Sequence, residues 1–166
     1  SDRDLLALGR QVLTLARKHR VPLIVNDRLD LAMALDADGV HLGQGDLPLG
    51  IARKLWNPAR IYGISVQTPQ QAREAAEGGA TYLGAGALVA MATKPDAIVM
   101  GEGGLEAVCT ATWLPVIAIG GVNADNAGGF VRRGCTGIAV VSSVWKAADP
   151  VAATEALRRA VDGARI

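Results

Sequence analysis

A parallel α/β fold is the class this sequence predicts, and three observations predict it. Short aliphatic and β-branched runs without polar alternation recur along the chain, as in Leu23-Ile24-Val25, and such runs suit strands covered on both faces. Most of them begin about 20 residues apart, close to the shortest repeat that holds a strand, a crossover helix and two loops. Polar residues or glycines follow almost every run, at the carboxyl ends where parallel α/β folds bind their ligands. No Gly-x-Gly-x-x-Gly follows a first strand, so the expectation is a (βα)8 TIM barrel rather than a doubly wound sheet, with about six βα units visible.

Composition agrees with that class. A chain of 166 residues is expected to form one domain, here a single partial barrel over residues 1–166, large enough to bury about two-thirds of its unfolded surface. Half of the residues are hydrophobic but only 4% are aromatic, and 20 are glycine, so the core must be thin layers of Ala, Val, Ile and Leu. The formal net charge of +1, without a basic patch or long charge run, gives no reason to expect nucleic acid or an anionic membrane as partner. No apolar run approaches the roughly 20 residues that span a bilayer, and the opening residues show no signal-peptide pattern, so a cytoplasmic protein is expected. Cys109 and Cys135 lack the spacing of a metal knuckle or redox pair and read as buried free thiols.

Taken in order, Ser1-Asp2 caps a helix whose apolar residues Leu5, Leu6, Leu8, Val12, Leu13 and Leu15 carry it to about Lys18. Pro22 ends the link, Leu23 to Val25 form the first strand, and Asp30 to Ala37 a short helix rich in Leu and Ala. Asp38-Gly39 reads as a turn before the second strand, Val40 to Gly43, and Pro48 to Leu55 form the next helix. Ile61 to Val66 is the third strand; Thr68-Pro69 then starts a helix with a cap and a proline at the first helical position. Ala80 to Ala87 supply the fourth strand, followed by a long loop with Thr93-Lys94-Pro95-Asp96 and a helix near Leu105 to Ala111. Pro115 to Ile119 form the fifth strand, Gly120-Gly121-Val122-Asn123 leads into a helix through Arg133, and Ile138 to Val141 form the sixth. A last helix runs from about Pro150 to Val161.

Under the barrel reading, Asn26, Asp27, Asp46, Ser65, Lys94, Gly121 and Ser142 reach one face from different strands. Asp27 and Asp46 could share a hard cation such as Mg²⁺, which takes few protein oxygens and leaves room for water and substrate phosphate. The plainer alternative is that both acids only satisfy backbone amides. Gly120-Gly121 lets the backbone approach a ligand, and a helix from about Ala124 would turn its positive end toward an anion. Val141-Ser142 follows the last strand, and the two loops together read as a phosphate cradle, although Gly-Gly also makes an ordinary tight turn. An ammonium at Lys94 could neutralise phosphate charge. Arg28 and Asp30 are expected to pair with solvent or each other, His41 to be an interior residue rather than a base, and His19 to be solvated. No Ser-His-Asp or Cys-His arrangement is supported.

These residues carry a resemblance. Asn26-Asp27-Arg28, Gly39-Val40-His41-Leu42-Gly43-Gln44 with Asp46, Gly63-Ile64-Ser65, Thr93-Lys94-Pro95-Asp96, Ile119-Gly120-Gly121-Val122-Asn123 and Val140-Val141-Ser142 resemble, in order, the thiamin-phosphate synthase family and its TenI-type relatives. The resemblance implies a transferase of thiamine biosynthesis that joins hydroxymethylpyrimidine diphosphate to thiazole phosphate and releases pyrophosphate. It further implies that Asn26 contacts the pyrimidine diphosphate, Asp27 and Asp46 hold Mg²⁺, and Ser65 faces the pyrimidine. Lys94 would bind the leaving diphosphate, with Lys94 and Ser65 as the catalytic residues, and Thr93, Gly121, Val141 and Ser142 would hold the thiazole phosphate.

Two departures from the family pattern matter. Met91-Ala92-Thr93-Lys94 stands where the family has Thr-Pro-Thr-Lys, removing one hydroxyl contact to the thiazole phosphate. The family also has two more βα units at its start, with a Gln-x-Arg-x-Lys segment that grips the diphosphate. The expectation is therefore a piece of a longer barrel, rather than one completed by another chain or a shortened paralogue, because a six-stranded sheet exposes two parallel edges. Alternatives are a TenI-type thiazole tautomerase and a non-catalytic phosphate-binding paralogue. The partners expected are small molecules only, with a homo-oligomer left open.

Overall fold

The computed structural model describes residues 1–88 and 100–165. The chain alternates α1 (Asp2–Lys18), β1 (Ile24–Asn26), α2 (Leu29–Leu35), β2 (Gly39–Leu42), α3 (Leu49–Leu55), β3 (Ile61–Val66), α4 (Pro69–Glu77) and β4 (Tyr82–Ala85). It continues with α5 (Gly101–Thr110), β5 (Val116–Ile119), α6 (Ala127–Arg132), β6 (Gly137–Ala139), α7 (Ser142–Trp145) and α8 (Pro150–Asp162). The strands form one sheet in the order β1-β2-β3-β4-β5-β6, every neighbour parallel. Sequential order without reversal is the winding of a barrel, since a doubly wound sheet needs a point where the order turns back. The architecture is a curled half-barrel of the TIM type.

Because parallel crossovers share one hand, the connecting helices α2 to α6 fall on one side of the sheet. The core fills that side: Val40 and Leu42 of β2, Tyr62, Ile64 and Val66 of β3, Leu83 and Ala85 of β4, and Val116 and Ala118 of β5 are buried. They pack with Ala32, Ala52, Ala72, Leu105, Val108, Ala127 and Phe130 from the helices. Alanines on the helices bring the two layers close, which is how a chain poor in aromatics builds a core. The alternate strand residues, His41, Gly63, Ser65, Tyr82 and Gly84, then face the concave side.

Local chemistry fixes the helix starts. Ser1 and Asp4 form a reciprocal capping box on α1, and Thr68 and Gln71 do the same on α4 with Pro69 at the first turn. Asp149 accepts hydrogen bonds from the Val151 and Ala152 amides to open α8.

Several details differ from the sequence reading; β6, read as Ile138 to Val141, is Gly137–Ala139. Gly39 is the first residue of β2 rather than half of a turn, and a Cβ there would lie 2.2 Å from the Ile61 carbonyl, so only glycine lets the strands meet. The helix expected from about Ala124 begins at Ala127, because Asn123 and Asn126 interlock first. The Asn123 side chain accepts from the Asp125 and Asn126 amides, and Asn126 accepts from the Asn123 amide. Ser142 to Trp145 form a short helix that no periodicity announced.

Candidate active site

The backbone turns sharply where β1 stops. Asn26 is exposed at the strand end, and Asp27 takes a left-handed conformation with φ of 62°, unusual for a residue with a Cβ. Its amide donates to the His41 carbonyl at 2.8 Å, continuing the pairing of Asn26 with His41 and fixing Asp27 beside the end of β2. One turn beyond β2, Asp46 folds back so that its Oδ2 accepts the Gly43 amide at 2.7 Å. Two acids therefore leave adjacent strand ends, both with defined backbones. Among the described residues no group of three or more His, Cys, Asp or Glu is placed to hold a metal ion.

Behind them lies a string of polar side chains across three strands. His41 Nδ1 lies 2.9 Å from the Tyr82 hydroxyl, and its Nε2 lies 2.9 Å from Ser65 Oγ. The register explains why they meet: His41 pairs with Gly63, which pairs with Tyr82, while Ser65 pairs with Gly84. The two glycines leave room for the ring. A Cβ on Gly63 would sit 2.2 Å from Tyr82 Cζ and 2.3 Å from His41 Nδ1, and one on Gly84 would lie 3.0 Å from His41 Cε1. Burial pushes the His41 pKa below the usual histidine value, with the Asp46 charge opposing, so the ring is neutral near pH 7 and one nitrogen donates while the other accepts. Burial likewise raises the Tyr82 phenol. Gln44 donates its side-chain amide to the Ser65 carbonyl at 2.7 Å, closing the end of β3.

At the far side of the same face, Gly120 and Gly121 follow β5 with φ of 90° and 78°, a turn that residues with side chains rarely make. Val141 and Ser142 follow β6, both exposed. Ser143 donates its hydroxyl to the Val122 carbonyl, so the loops after β5 and β6 are joined. The Asn123–Asn126 interlock already uses the amides of Asn123, Asp125 and Asn126 and displaces the helix start, so the expected helix terminus does not stand behind Gly121.

Thus Asn26, Asp27, Asp46, Ser65, Gly121, Val141 and Ser142 all lie at the carboxyl ends of the strands, as expected. Met91, Thr93 and Lys94 lie outside the described residues. Arg28 and Asp30 pair with each other, at 2.8 Å and 2.6 Å, and the Arg28 hydrogen bonds hold the Asp30 carboxyl down at about 2; Arg28 also reaches Asp2. His41 faces the interior as read, but its link to Ser65 and Tyr82 was not foreseen. The signal that could have found it is the glycine at alternate positions of β3 and β4.

A family model described as thiamine monophosphate synthase matches residues 1–144. The thiamine-phosphate synthase of Roseiflexus castenholzii is 51% identical over 156 residues, spanning 93% of this chain and 68% of that protein. That of Moorella thermoacetica is 46% identical over 164 residues, spanning 98% and 78%. Among solved structures, a thiamine phosphate pyrophosphorylase from Pyrococcus furiosus superposes with a TM-score of 0.93 at 40% identity, covering all of this chain and 80% of that one.

Proposed function

This chain belongs to the thiamine monophosphate synthase family, and from that premise we propose that it joins hydroxymethylpyrimidine diphosphate to thiazole phosphate, releasing pyrophosphate. The observation that carries the reading is identity near one half with thiamine-phosphate synthases over nearly the whole chain. Strand-end acids on adjacent strands support it.

Asp27 and Asp46 would hold Mg²⁺, and the donor set fits: two carboxylates are hard oxygen ligands, and a neutral His41 adds no competing positive charge beside Asp46. When bound, the ion supplies charge neutralisation for the departing pyrophosphate. Asn26, at the same strand end, would donate to the diphosphate. Ser65 would face the pyrimidine, and its hydroxyl is already aimed by His41, itself held by Tyr82. Lys94 would bind the leaving group. The backbone at Gly121 and at Val141-Ser142 would receive the thiazole phosphate, with Thr93 adding a hydroxyl. Breaking the pyrimidinylmethyl carbon–oxygen bond leaves an electron-poor carbon for the thiazole nitrogen to capture, so positioning and electrostatic stabilisation suffice without a protein nucleophile.

The six βα units are read as part of an eight-stranded barrel. Support comes from the edge strands β1 and β6, each with one strand neighbour among the described residues, and from the fifth or so of the Pyrococcus furiosus chain that lies beyond the match.

The test is pyrophosphate release with both substrates, with and without Mg²⁺, in a chain that carries the two closing units. Turnover that requires all three components and disappears in Asp27→Ala is expected. Unchanged turnover in that variant would reject the metal role of Asp27. Release of no pyrophosphate, with isomerisation of a thiazole carboxylate phosphate instead, would replace the synthase by a TenI-type tautomerase.

A further inference from the structure

Cys109 and Cys135 are 26 residues apart in the sequence, yet the fold brings their Sγ atoms to 3.9 Å, within sulfur hydrogen-bond distance. Both are free thiols, and they are the only cysteines in the chain. Cys109 sits near the carboxyl end of α5 and is partly exposed, whereas Cys135, just before β6, is 4% exposed. The approach depends on Gly134, with φ of 102°: a Cβ there would lie 3.1 Å from Cys109 Cβ. An ion pair between Glu106 and Arg133, at 3.5 Å, ties the same two segments from the side.

We propose that Cys109 and Cys135 are a modification site, oxidised by hydroperoxides to a reversible intramolecular disulfide that joins α5 to the entry of β6. The order of events follows from access and hydrogen bonding. Cys109 is the thiol a peroxide can reach. The two sulfurs share a hydrogen bond that holds the Cys109 pKa down, against burial and the Glu106 charge, while the same contact and burial push Cys135 up.

The Cys109 thiolate, its proton released to solvent, attacks one peroxide oxygen. The O–O bond breaks, the sulfur becomes a sulfenic acid, and the departing oxygen leaves as water or alcohol after taking up a proton. Cys135 sulfur then attacks the sulfenic sulfur, forming the S–S bond, and hydroxide leaves with the Cys135 proton as a second product, water. Two thiols are oxidised and one peroxide is reduced. The sulfurs must close from 3.9 Å to about 2.05 Å, a movement that the last turn of α5 and the glycine linker can share.

Location decides the consequence. The Thr136 amide bonds the Val116 carbonyl, so the pair stands at the amino ends of β5 and β6, opposite the loops at Gly121 and Ser142. In barrels this end serves stability, so the disulfide acts as a brace and not as a gate on the site.

The experiment is to expose the purified, reduced chain to a small excess of hydrogen peroxide, block remaining thiols, and map a non-reducing digest by mass spectrometry. Loss of both thiols, a chain two hydrogens lighter, a Cys109–Cys135 linked peptide, and restoration by dithiothreitol are expected, with Tm raised by about 5 °C. Persistence of both thiols, a Cys109 sulfinate beside an intact Cys135, or a disulfide between two chains would overturn the site. In Cys135→Ala, dimedone should label Cys109, and the wild type should resist labelling; label on neither protein would overturn the order of attack.

Discussion

At the scale of single residues, His41 is where packing, charge and chemistry meet. Its pKa lies below the usual 6.5, chiefly because burial disfavours the imidazolium. Between the folded value and 6.5, the unfolded chain binds the proton more tightly than the native state, so stability falls as pH drops through that window and is complete above it. A urea midpoint that declines below pH 6.5 is expected, and in His41→Gln this histidine-linked part of the slope should disappear. Midpoints of the two proteins that run parallel with pH would show that the ring is not held neutral. Asp27 is the second residue of this kind. A left-handed acid at a strand end stores strain that costs of order 1 kcal/mol, and such strain persists only where the surroundings impose it. Asp27→Gly relieves that strain, so the chain should stay folded with a urea midpoint near that of the wild type while losing Mg²⁺-dependent turnover. A less stable Asp27→Gly would mean that the carboxylate is structural.

At the scale of elements, strands β2, β3 and β4 act as one unit because their concave residues interlock. Gly63→Ala places a methyl where His41 and Tyr82 already touch, and overpacking of this kind costs about 2–3 kcal/mol. Calorimetry should show that loss, with the His41–Ser65 contact broken and turnover falling more through kcat than through KM. A Gly63→Ala chain as stable as wild type would mean that the string rearranges freely. The sequence made these strands legible because aliphatic runs flanked by turn residues have few other uses, and it made α1 and α4 legible because their capping residues are local. Ile61–Val66 and the Thr68-Pro69 start match the reading residue for residue. What depends on register was not legible. Nothing within a few residues of His41 or Cys109 tells which side chain from another segment it will meet. The late start of α6 shows the same limit, since side-chain turns at Asn123 and Asn126 outcompete a helix that periodicity alone would extend.

At the scale of the whole molecule, the half-barrel leaves apolar surface at both ends of the sheet order. Beside β1, the helix α1 exposes Leu5, Leu8, Val12 and Leu15; beyond β6, α7 and α8 expose Trp145, at 80%, and Val151, at 70%. Each such side chain contributes about 1.5–3 kcal/mol when fully buried. Parallel edges with unpaired backbone groups add a further cost and invite association. Two closing βα units would pair with β1 on one side and β6 on the other, covering both surfaces at once. Fusing such units from the Pyrococcus furiosus relative ahead of residue 1 should give a monomer by light scattering, with a higher Tm than the 166-residue chain and weaker binding of an apolar dye. Trp145 reports on the far edge independently: its emission, isolated by comparison with Trp145→Phe, should shift to shorter wavelength on closure. A stabilised fusion with Trp145 still in water would mean that the added units cap β1 alone, leaving an open sheet, and the eight-stranded reading would fail at β6.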